Sequence, residues 1–328
     1  MREDLESMRR GSRRWKEARV ASVERMWGPR SVVVEDGPAR GMRQIELRHL
    51  GGLAVDLEVD QFLDLGDASF RGVPLSFVAP TTSPRAESWS RRWRGGLMTT
   101  CGLAAVGRAE QHIGGMHGRA HLIPASVTRS EGRWDGDDYV VEVRGLMREG
   151  ALFDQNVSVA RTIRASVGAS ALQITDEVRN EGFERTPLRL LYHFNVGWPW
   201  LEEGAVVETE AQEPGQDEGS GNWERTVEAP KAGEPETVDA LIAVPDADGW
   251  ASARIQGSNR SITVRFRPEQ LPYLTVWRSK AAGSYVVGLE PGTCWPGHVD
   301  GPDFGKAGVV LAPGESRTVN LEFEVQAD

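Results

Sequence analysis

Two segments of the sequence place an acid–base side chain at the end of an apolar strand. His193 follows Leu188–Leu191, and Glu290 follows Tyr285–Leu289 and precedes Pro291. Histidine titrates near neutral pH, so it can donate and recover a proton. A carboxyl group that emerges from a buried strand tends to have a raised pKa through desolvation, as a general base requires. The two residues could therefore catalyse proton transfers, although each alone is also typical of a structural role, as a hydrogen-bonded core histidine or a solvated glutamate before a turn.

A third segment, residues 114–121, is a glycine-rich turn that carries His117 and Arg119. Glycines let the backbone bend tightly and let a ligand approach closely, and both side chains can donate hydrogen bonds to hydroxyl groups. Either the turn presents them to a ligand, or the histidine is incidental. A zinc site on His117 and His121 is disfavoured, because their spacing of four suits a helix, the glycines argue against a helix, and no third ligand lies nearby.

The elements that must position these residues are strands. Alternating apolar and polar residues, clearest in Ser261–Phe266 and Thr318–Val325, indicate strands with one buried and one solvated face. Further strands are predicted at Ser31–Val34, Gln44–His49, Leu53–Val59, Tyr139–Arg144, Asn156–Arg164, Ala171–Arg179, Leu188–Phe194, Val238–Val244, Tyr273–Arg278 and Tyr285–Glu290. A dozen strands with hardly any helix predict an all-β fold, a large antiparallel sandwich or barrel. The acidic stretch Glu208–Glu236 predicts a long surface excursion of the kind that often carries function.

The N-terminal residues and the composition indicate which partners and which location to expect for this protein. Residues 1–29 predict a short helical segment that either caps the β domain of residues 30–328 or helps form a homodimer. A formal net charge of −10 argues against a nucleic-acid partner. No apolar run is long enough for a membrane span, and the N-terminus lacks the apolar centre of a secretory signal. A cytoplasmic protein is therefore expected, in which Cys101 and Cys294 are reduced thiols that pack as small side chains.

Four segments together resemble a bacterial family described as aldose 1-epimerase-like, of undetermined function, within the galactose mutarotase-like superfamily. The resemblance covers roughly residues 30–328, and its motifs are Gly95–Leu103, Met116–Arg119, Tyr192–Pro199 and Gly288–Pro291. It implies a galactose mutarotase-like supersandwich and a small-molecule carbohydrate as ligand. It does not specify which sugar is bound.

The resemblance also implies roles for individual residues. Glu290 is similar to the base of mutarotases and His193 to the acid, while His117 is similar to an earlier histidine that binds and polarises the sugar. Asp64 resembles the Asp of the superfamily's Arg-Gly-x-Asp segment, but Gln61-Phe62 stand where relatives have Arg-Gly. The other candidate substrate-binding residues are Arg119, Asn195, Trp277 or Trp295 as an apolar platform, and Arg278 and His298 as specificity residues.

These observations predict an isomerase of carbohydrate metabolism that interconverts sugar anomers by ring opening and closure. Both steps are proton transfers, so neither a metal nor an organic cofactor is expected. Two alternatives stay open at this point. The same pair could move a proton on carbon, as an isomerase, lyase or epimerase at another carbon, or the chain could be a non-catalytic carbohydrate-binding or sensing module.

Overall fold

Two antiparallel sheets form the body of the molecule and confirm the predicted all-β sandwich. The computed structural model describes residues 10–81, 84–86, 88–107, 116–152, 155–214, 223–296 and 309–328. The first sheet has eleven strands, of which nine follow one path in the order β1-β2-β3-β4-β8-β13-β19-β18-β15. In chain order its strands are β1 (Arg30–Val33), β2 (Arg43–Leu50), β3 (Leu53–Glu58), β4 (Asp64–Phe70), β5 (Val73–Pro74), β8 (Met98–Leu103), β13 (Thr186–Gly197), β15 (Thr237–Ile242), β18 (Tyr273–Ala281), β19 (Ser284–Gly292) and β20 (Val309–Leu311).

The second sheet has eight strands in the order β14-β16-β17-β21-β12-β11-β10-β9. These are β9 (Ser126–Asp135), β10 (Asp138–Gly150), β11 (Asn156–Ser166), β12 (Ala171–Asn180), β14 (Val206–Thr209), β16 (Ala251–Gln256), β17 (Arg260–Phe266) and β21 (Ser316–Ala327). A small two-stranded sheet pairs β6 (Phe77–Val78) with β7 (Gly95–Gly96).

The core lies between the two large sheets. In β11, buried and half-buried residues alternate along the whole strand, as expected for a sheet with one face in the core. Phe194 of the first sheet stacks on Phe323 of the second, with ring centroids 5.9 Å apart. Because neighbouring residues of a strand point to opposite faces, His193 is directed to the other face of the first sheet, away from the core.

The predicted N-terminal helix is two short helices, α1 (Arg13–Glu17) and α2 (Val23–Trp27). The Ser12 hydroxyl caps α1 by accepting from Trp15 N at 3.2 Å. Trp27 is buried against Tyr139, whose hydroxyl donates to Glu24. The described part of this segment therefore packs on the sandwich, while the domain boundary at residue 29 stays a prediction. Two further short helices are α3 (Trp89–Arg92) and a 3₁₀ turn at Ala120–Leu122.

The predicted surface excursion is in part a packed segment. Trp223 and Val227 are buried, and the backbone N–H of Lys231 donates to the carbonyl of Lys280 in β18. The segment thus crosses from the second sheet to the edge of the first, and it carries Glu236 to the face that holds His193. No helix of the described ranges is long and apolar enough to cross a membrane.

Candidate active site

His193 and Glu290 face each other on neighbouring strands of the first sheet. The register of β13 and β19 pairs Leu191 with Gly292 and Phe194 with Leu289, which places His193 opposite Glu290. The imidazole Nε2 lies 3.0 Å from the Glu290 Oε1 oxygen, and both side chains are more than nine-tenths buried. The Glu290 Oε1 oxygen is buried and has no hydrogen-bond partner among the described residues. Two residues 97 positions apart in sequence are therefore brought into contact by strand pairing.

Two threonines extend this row of polar residues across the sheet. Thr99 of β8 is the ladder partner of His193, and Thr275 of β18 is the ladder partner of Glu290. The Thr99 hydroxyl accepts from the indole N–H of Trp93 at 3.1 Å. Through this hydrogen bond, Thr99 holds Trp93 at one side of the space above His193 and Glu290.

A pocket of about 110 Å³ opens above His193 and Glu290. Apart from those two residues its described lining is largely aromatic and apolar: Trp89, Trp93, Met116, His117, Glu236, Val238, Trp277 and Pro296. Polar groups at the floor and apolar groups on the walls are the usual composition of a small-molecule site.

Three tryptophans form the walls. Trp89 and Trp93 stack with centroids 5.5 Å apart, and Trp93 meets the edge of Trp277 at 6.1 Å. The Trp277 ring also meets the imidazole of His193 edge-on at 5.3 Å, and its N–H donates to Glu236 Oε2 at 2.8 Å. Flat indole faces of this kind suit the C–H faces of a sugar ring.

His117 enters the pocket from the glycine-rich turn. Its φ of 61° is in the left-handed region, which non-glycine residues seldom occupy. Gly118 follows with a φ of 73°, and a Cβ there would lie 2.5 Å from the carbonyl oxygen of Gly102. The turn is thus pressed against β8, and the imidazole of His117 stands 5.9 Å from that of His193.

Burial opposes charge on both members of the pair. It raises the pKa of Glu290 well above the ordinary value, and the nearby carboxylate of Glu236 raises it further. It lowers the pKa of His193 to about 3. Burial therefore favours the neutral carboxyl group over the carboxylate and the neutral imidazole over the imidazolium.

The comparisons with known proteins fit this architecture. A family model for a domain of unknown function, DUF4432, matches residues 39–325. The chain belongs to the DUF4432 family. No curated protein matches it.

Solved structures share the fold of this DUF4432 chain at low identity. A "putative aldose 1-epimerase" from Klebsiella pneumoniae aligns with a TM-score of 0.79 and 22% identity over 92% of this chain and 83% of its own. A galactose mutarotase-like protein from Clostridium acetobutylicum gives 0.62 and 14% over 92% and 98%. Galactose 1-epimerase from Lactobacillus acidophilus gives 0.61 and 14% over 92% and 99%. These likenesses establish a galactose mutarotase-like fold.

The DUF4432 structure brings four of the predicted residues together: His193, Glu290, His117 and Trp277. Asn195 lies beneath them, fully buried, where its amide donates to the carbonyl oxygens of His193 at 2.9 Å and Gly96 at 3.2 Å. It therefore braces the strand that carries His193 and does not line the pocket.

Other predicted binding residues lie elsewhere. Asp64 faces the core, where it accepts from Thr100 and Arg161, because the pairing of β4 with β8 turns it between the sheets. Arg119 is directed toward Glu149, 3.7 Å away. Arg278 follows Trp277 and so points to the opposite face, where it pairs with Asp239.

Trp295 donates to the carbonyl of Leu241 and packs on Tyr273 outside the pocket. His298 lies outside the described residues. Among the residues that are described, no group of three His, Cys, Asp or Glu side chains is arranged to hold a metal ion. His121, the second histidine of the turn, accepts from Arg92 Nε at 3.2 Å behind Trp89.

Sequence reasoning missed Trp89, Trp93 and Glu236 in the DUF4432 pocket. Trp89 and Trp93 sit on α3 and its C-cap, four residues apart, so a helical spacing of aromatics was the available signal. Glu236 carried no signal, because it is one of many acidic residues in its segment.

The unusual His193 pKa predicts a pH effect on stability. An unfolded histidine titrates near 6.5, so below that pH the folded protein binds fewer protons than the unfolded chain. The free energy of unfolding should fall from about pH 6.5 to about pH 3, by about 1.4 kcal/mol per pH unit for each such histidine. His193→Gln should flatten this acid limb, measured by urea denaturation at stepped pH.

A matched comparison is available in His121, whose pKa is also lowered to about 3, by burial and by Arg92. His121→Gln should flatten the limb to a similar degree, and the double variant more than either. A His193→Gln limb as steep as that of the parent protein would contradict the neutral imidazole.

Proposed function

We propose that this chain is a sugar epimerase that interconverts anomers, with Glu290 as general base and His193 as general acid. The single observation that carries the proposal is the 3.0 Å approach of the two groups at the floor of an aromatic-walled pocket. Burial disfavours the charged form of each partner, and titratable groups perturbed in this way inside a cleft are typical of functional sites.

The separation suits the two atoms on which the reaction acts. In a cyclic sugar the anomeric hydroxyl and the ring oxygen are both attached to the anomeric carbon. A base for the first and an acid for the second must therefore lie side by side on one face of the site. His193 and Glu290 meet that requirement because they are direct partners in one strand pair.

In the proposed ring opening, the reaction starts from the Glu290 carboxylate and the His193 imidazolium, which form when the carboxyl proton passes to the imidazole. Glu290 takes the hydroxyl proton, the carbon–oxygen double bond forms, the bond from the anomeric carbon to the ring oxygen breaks, and His193 protonates that oxygen. The pair then consists of a neutral acid and a neutral imidazole, which are the forms that burial favours. Rotation of the carbonyl and the reverse transfers close the ring as the other anomer. Hydrogen bonds from sugar hydroxyls to the carboxylate stabilise the charged pair at the start.

His117 and Trp277 complete the proposed arrangement. His117 reaches the same space from a different segment and can bond a sugar hydroxyl, and its left-handed backbone is a local strain of the kind found at functional sites. Trp277 lies beside the imidazole of His193, so a sugar stacked on its face would present its ring oxygen to the acid.

Proton-exchange NMR of anomer interconversion tests the proposal on aldoses, ketoses and sugar acids in deuterated buffer. For at least one sugar the exchange rate should rise in proportion to protein concentration above the spontaneous rate, and His193→Ala should remove the increase. Carbon-bound hydrogens should not be replaced by deuterium. Deuterium at carbon would assign the pair to a proton shift on carbon, and an unchanged exchange rate for every sugar would contradict catalysis of mutarotation.

Gly288 offers a test by steric obstruction. It is the ladder partner of both Asn195 and Trp277, and a Cβ there would lie 2.8 Å from Glu290 Oε1 and 3.0 Å from His193 Cε1. Gly288→Ala should displace the pair and slow interconversion about a hundred-fold, since shifts of this size are enough to misalign reacting groups. Anomer exchange rates measure the effect, and circular dichroism checks that the sheet persists.

The control is Gly150→Ala in β10, where the nearest atoms to an added Cβ are 3.8 Å and 4.0 Å away. That variant should keep the parent rate. Equal rates in Gly288→Ala and the parent protein would show that the reaction does not use the space above Glu290.

A further inference from the structure

We infer that the pocket selects sugars without an acidic group, and that Glu236 is the residue that rejects uronates and phosphorylated sugars. The inference rests on the proposed function and adds a substrate class to it. Its basis is the charge of the pocket lining, together with the pairing of the cations around it.

The described lining of the pocket contains carboxyl groups and no Lys or Arg. Glu236 stands at the mouth, exposed, and Glu290 lies at the floor. Recognition of a sugar carboxylate or phosphate normally uses a guanidinium fork or an ammonium group. An anionic substituent in this pocket would instead be repelled by Glu236, because like charges a few ångströms apart near a protein surface still interact appreciably.

Three cations close in sequence to the lining residues are engaged by other carboxylates, while Arg92, next to Trp93, donates to His121 and Arg91 is exposed. Arg94 lies 3.7 Å from Glu58, next to Trp93 in the chain. Two cations of β18 are paired outside the lining, Arg278 with Asp239 and Lys280 with Glu224 and Glu228. Recruiting any of them for an anionic ligand would leave a carboxylate without its partner.

The aromatic walls of the pocket also disfavour acidic sugars. Indole faces carry negative electrostatic potential, so Trp89, Trp93 and Trp277 favour C–H groups or cations and disfavour anions. Glu236 also holds Trp277 in place through the 2.8 Å hydrogen bond from its indole N–H. The Glu236 carboxylate therefore has two effects. It orients Trp277 in the pocket wall, and it places a negative charge at the pocket mouth.

Glu236→Gln separates the two effects, because the amide oxygen of Gln can still accept from Trp277 while the charge is lost. Dissociation constants from saturation-transfer NMR would be measured for glucose, glucuronate and glucosamine, and for the galactose series, below the pKa of the amine. The parent protein should bind the amino or neutral sugar about three- to ten-fold more tightly than the acid. Glu236→Gln should reduce that ratio toward one.

Glu234→Gln serves as the control, since Glu234 is an acidic residue of the same segment that pairs with Lys231 at 3.1 Å outside the pocket. It should preserve the parent ratio. The inference is overturned if the parent protein binds the acid as tightly as the neutral sugar, or if Glu236→Gln leaves the ratio unchanged.

The binding ratio and the anomer exchange rate test the charge selection and the proposed reaction separately. Retained ranking without anomer exchange would overturn the proposed reaction and leave the charge selection standing. Anomer exchange with a flat ranking would overturn the charge selection alone. Absence of binding by every sugar would overturn both.

Discussion

Replacing Glu290 by Gln is expected to slow anomer interconversion by about 10²- to 10⁴-fold, the usual contribution of one positioned general base. The amide has the size of the carboxyl group but cannot accept the hydroxyl proton. Stopped-flow polarimetry or NMR exchange, corrected for the spontaneous reaction, measures the loss. Because the pocket walls are untouched, sugar binding should change much less than the rate.

The same variant should be more stable than the parent protein at neutral pH. Burial raises the pKa of Glu290 in the folded protein, so the folded state binds more protons than the unfolded chain above the ordinary carboxyl pKa. The contribution of Glu290 to stability is therefore lost as pH rises from that value to the folded pKa. Glu290→Gln removes this loss. Thermal unfolding at stepped pH should therefore show a stability difference between the variant and the parent protein that widens as pH rises from the ordinary carboxyl pKa toward the folded pKa of Glu290.

Glu58→Gln is the matched control for both effects. Glu58 is also buried, with a pKa raised to about 7 chiefly by desolvation, and it lies outside the pocket beside Gln44 and Arg94. It should reproduce a pH-dependent gain in stability without a loss of rate. A Glu290→Gln variant that keeps the parent rate would show that the carboxylate takes no part in the reaction.

Arg161→Met is expected to destabilise the fold by about 3–5 kcal/mol, the cost of removing one partner from a buried ionic network. The Arg161 side chain has no exposed surface and contacts Asp64 and Asp176, each at 2.7 Å. It also bonds the Phe62 carbonyl and the Thr100 hydroxyl, while the Tyr192 hydroxyl donates to Asp176. Met fills much of the volume but leaves two buried carboxylates without their cation.

Urea denaturation gives this free energy, and Arg164→Met supplies the comparison. Arg164 lies on the same strand, is 39% exposed and pairs with the exposed Asp135 and with Glu142, which has a second cation in Arg129. Exposed pairs of this kind contribute about 0–1 kcal/mol. Equal losses in the two variants would show that the network does not join the sheets.

Asp64 has a guanidinium partner even though Gln61-Phe62 stand where the resemblance leads one to expect Arg-Gly. A guanidinium does reach Asp64, but it comes from β11 of the opposite sheet. Asp64 thereby links the two sheets, and its expected place in a sugar site is taken by residues on the outer face. Sequence comparison could align the carboxylate, but it could not reveal the direction of the side chain.

The predicted strands and the observed ones agree where alternation is clear. Thr318–Val325 lies inside β21 and Ser261–Phe266 inside β17. The strand β9 was not predicted, because it is an edge strand whose residues are mostly exposed and polar, so it has no buried face to impose a period of two. The strand β8 was not predicted either, since it is buried on both faces and does not alternate.

The sequence by itself determined the fold class and the chemical types at the site. Alternation of apolar and polar residues predicts a half-buried strand from local sequence alone. His193 and Glu290 lie at the ends of two predicted strands. Only the tertiary structure decided which side chains meet. The pairing of β13 with β19 sets His193 against Glu290, and the packed crossing segment delivers Glu236. Such contacts depend on register between strands far apart in the chain, and a shift of one residue would turn every side chain to the other face.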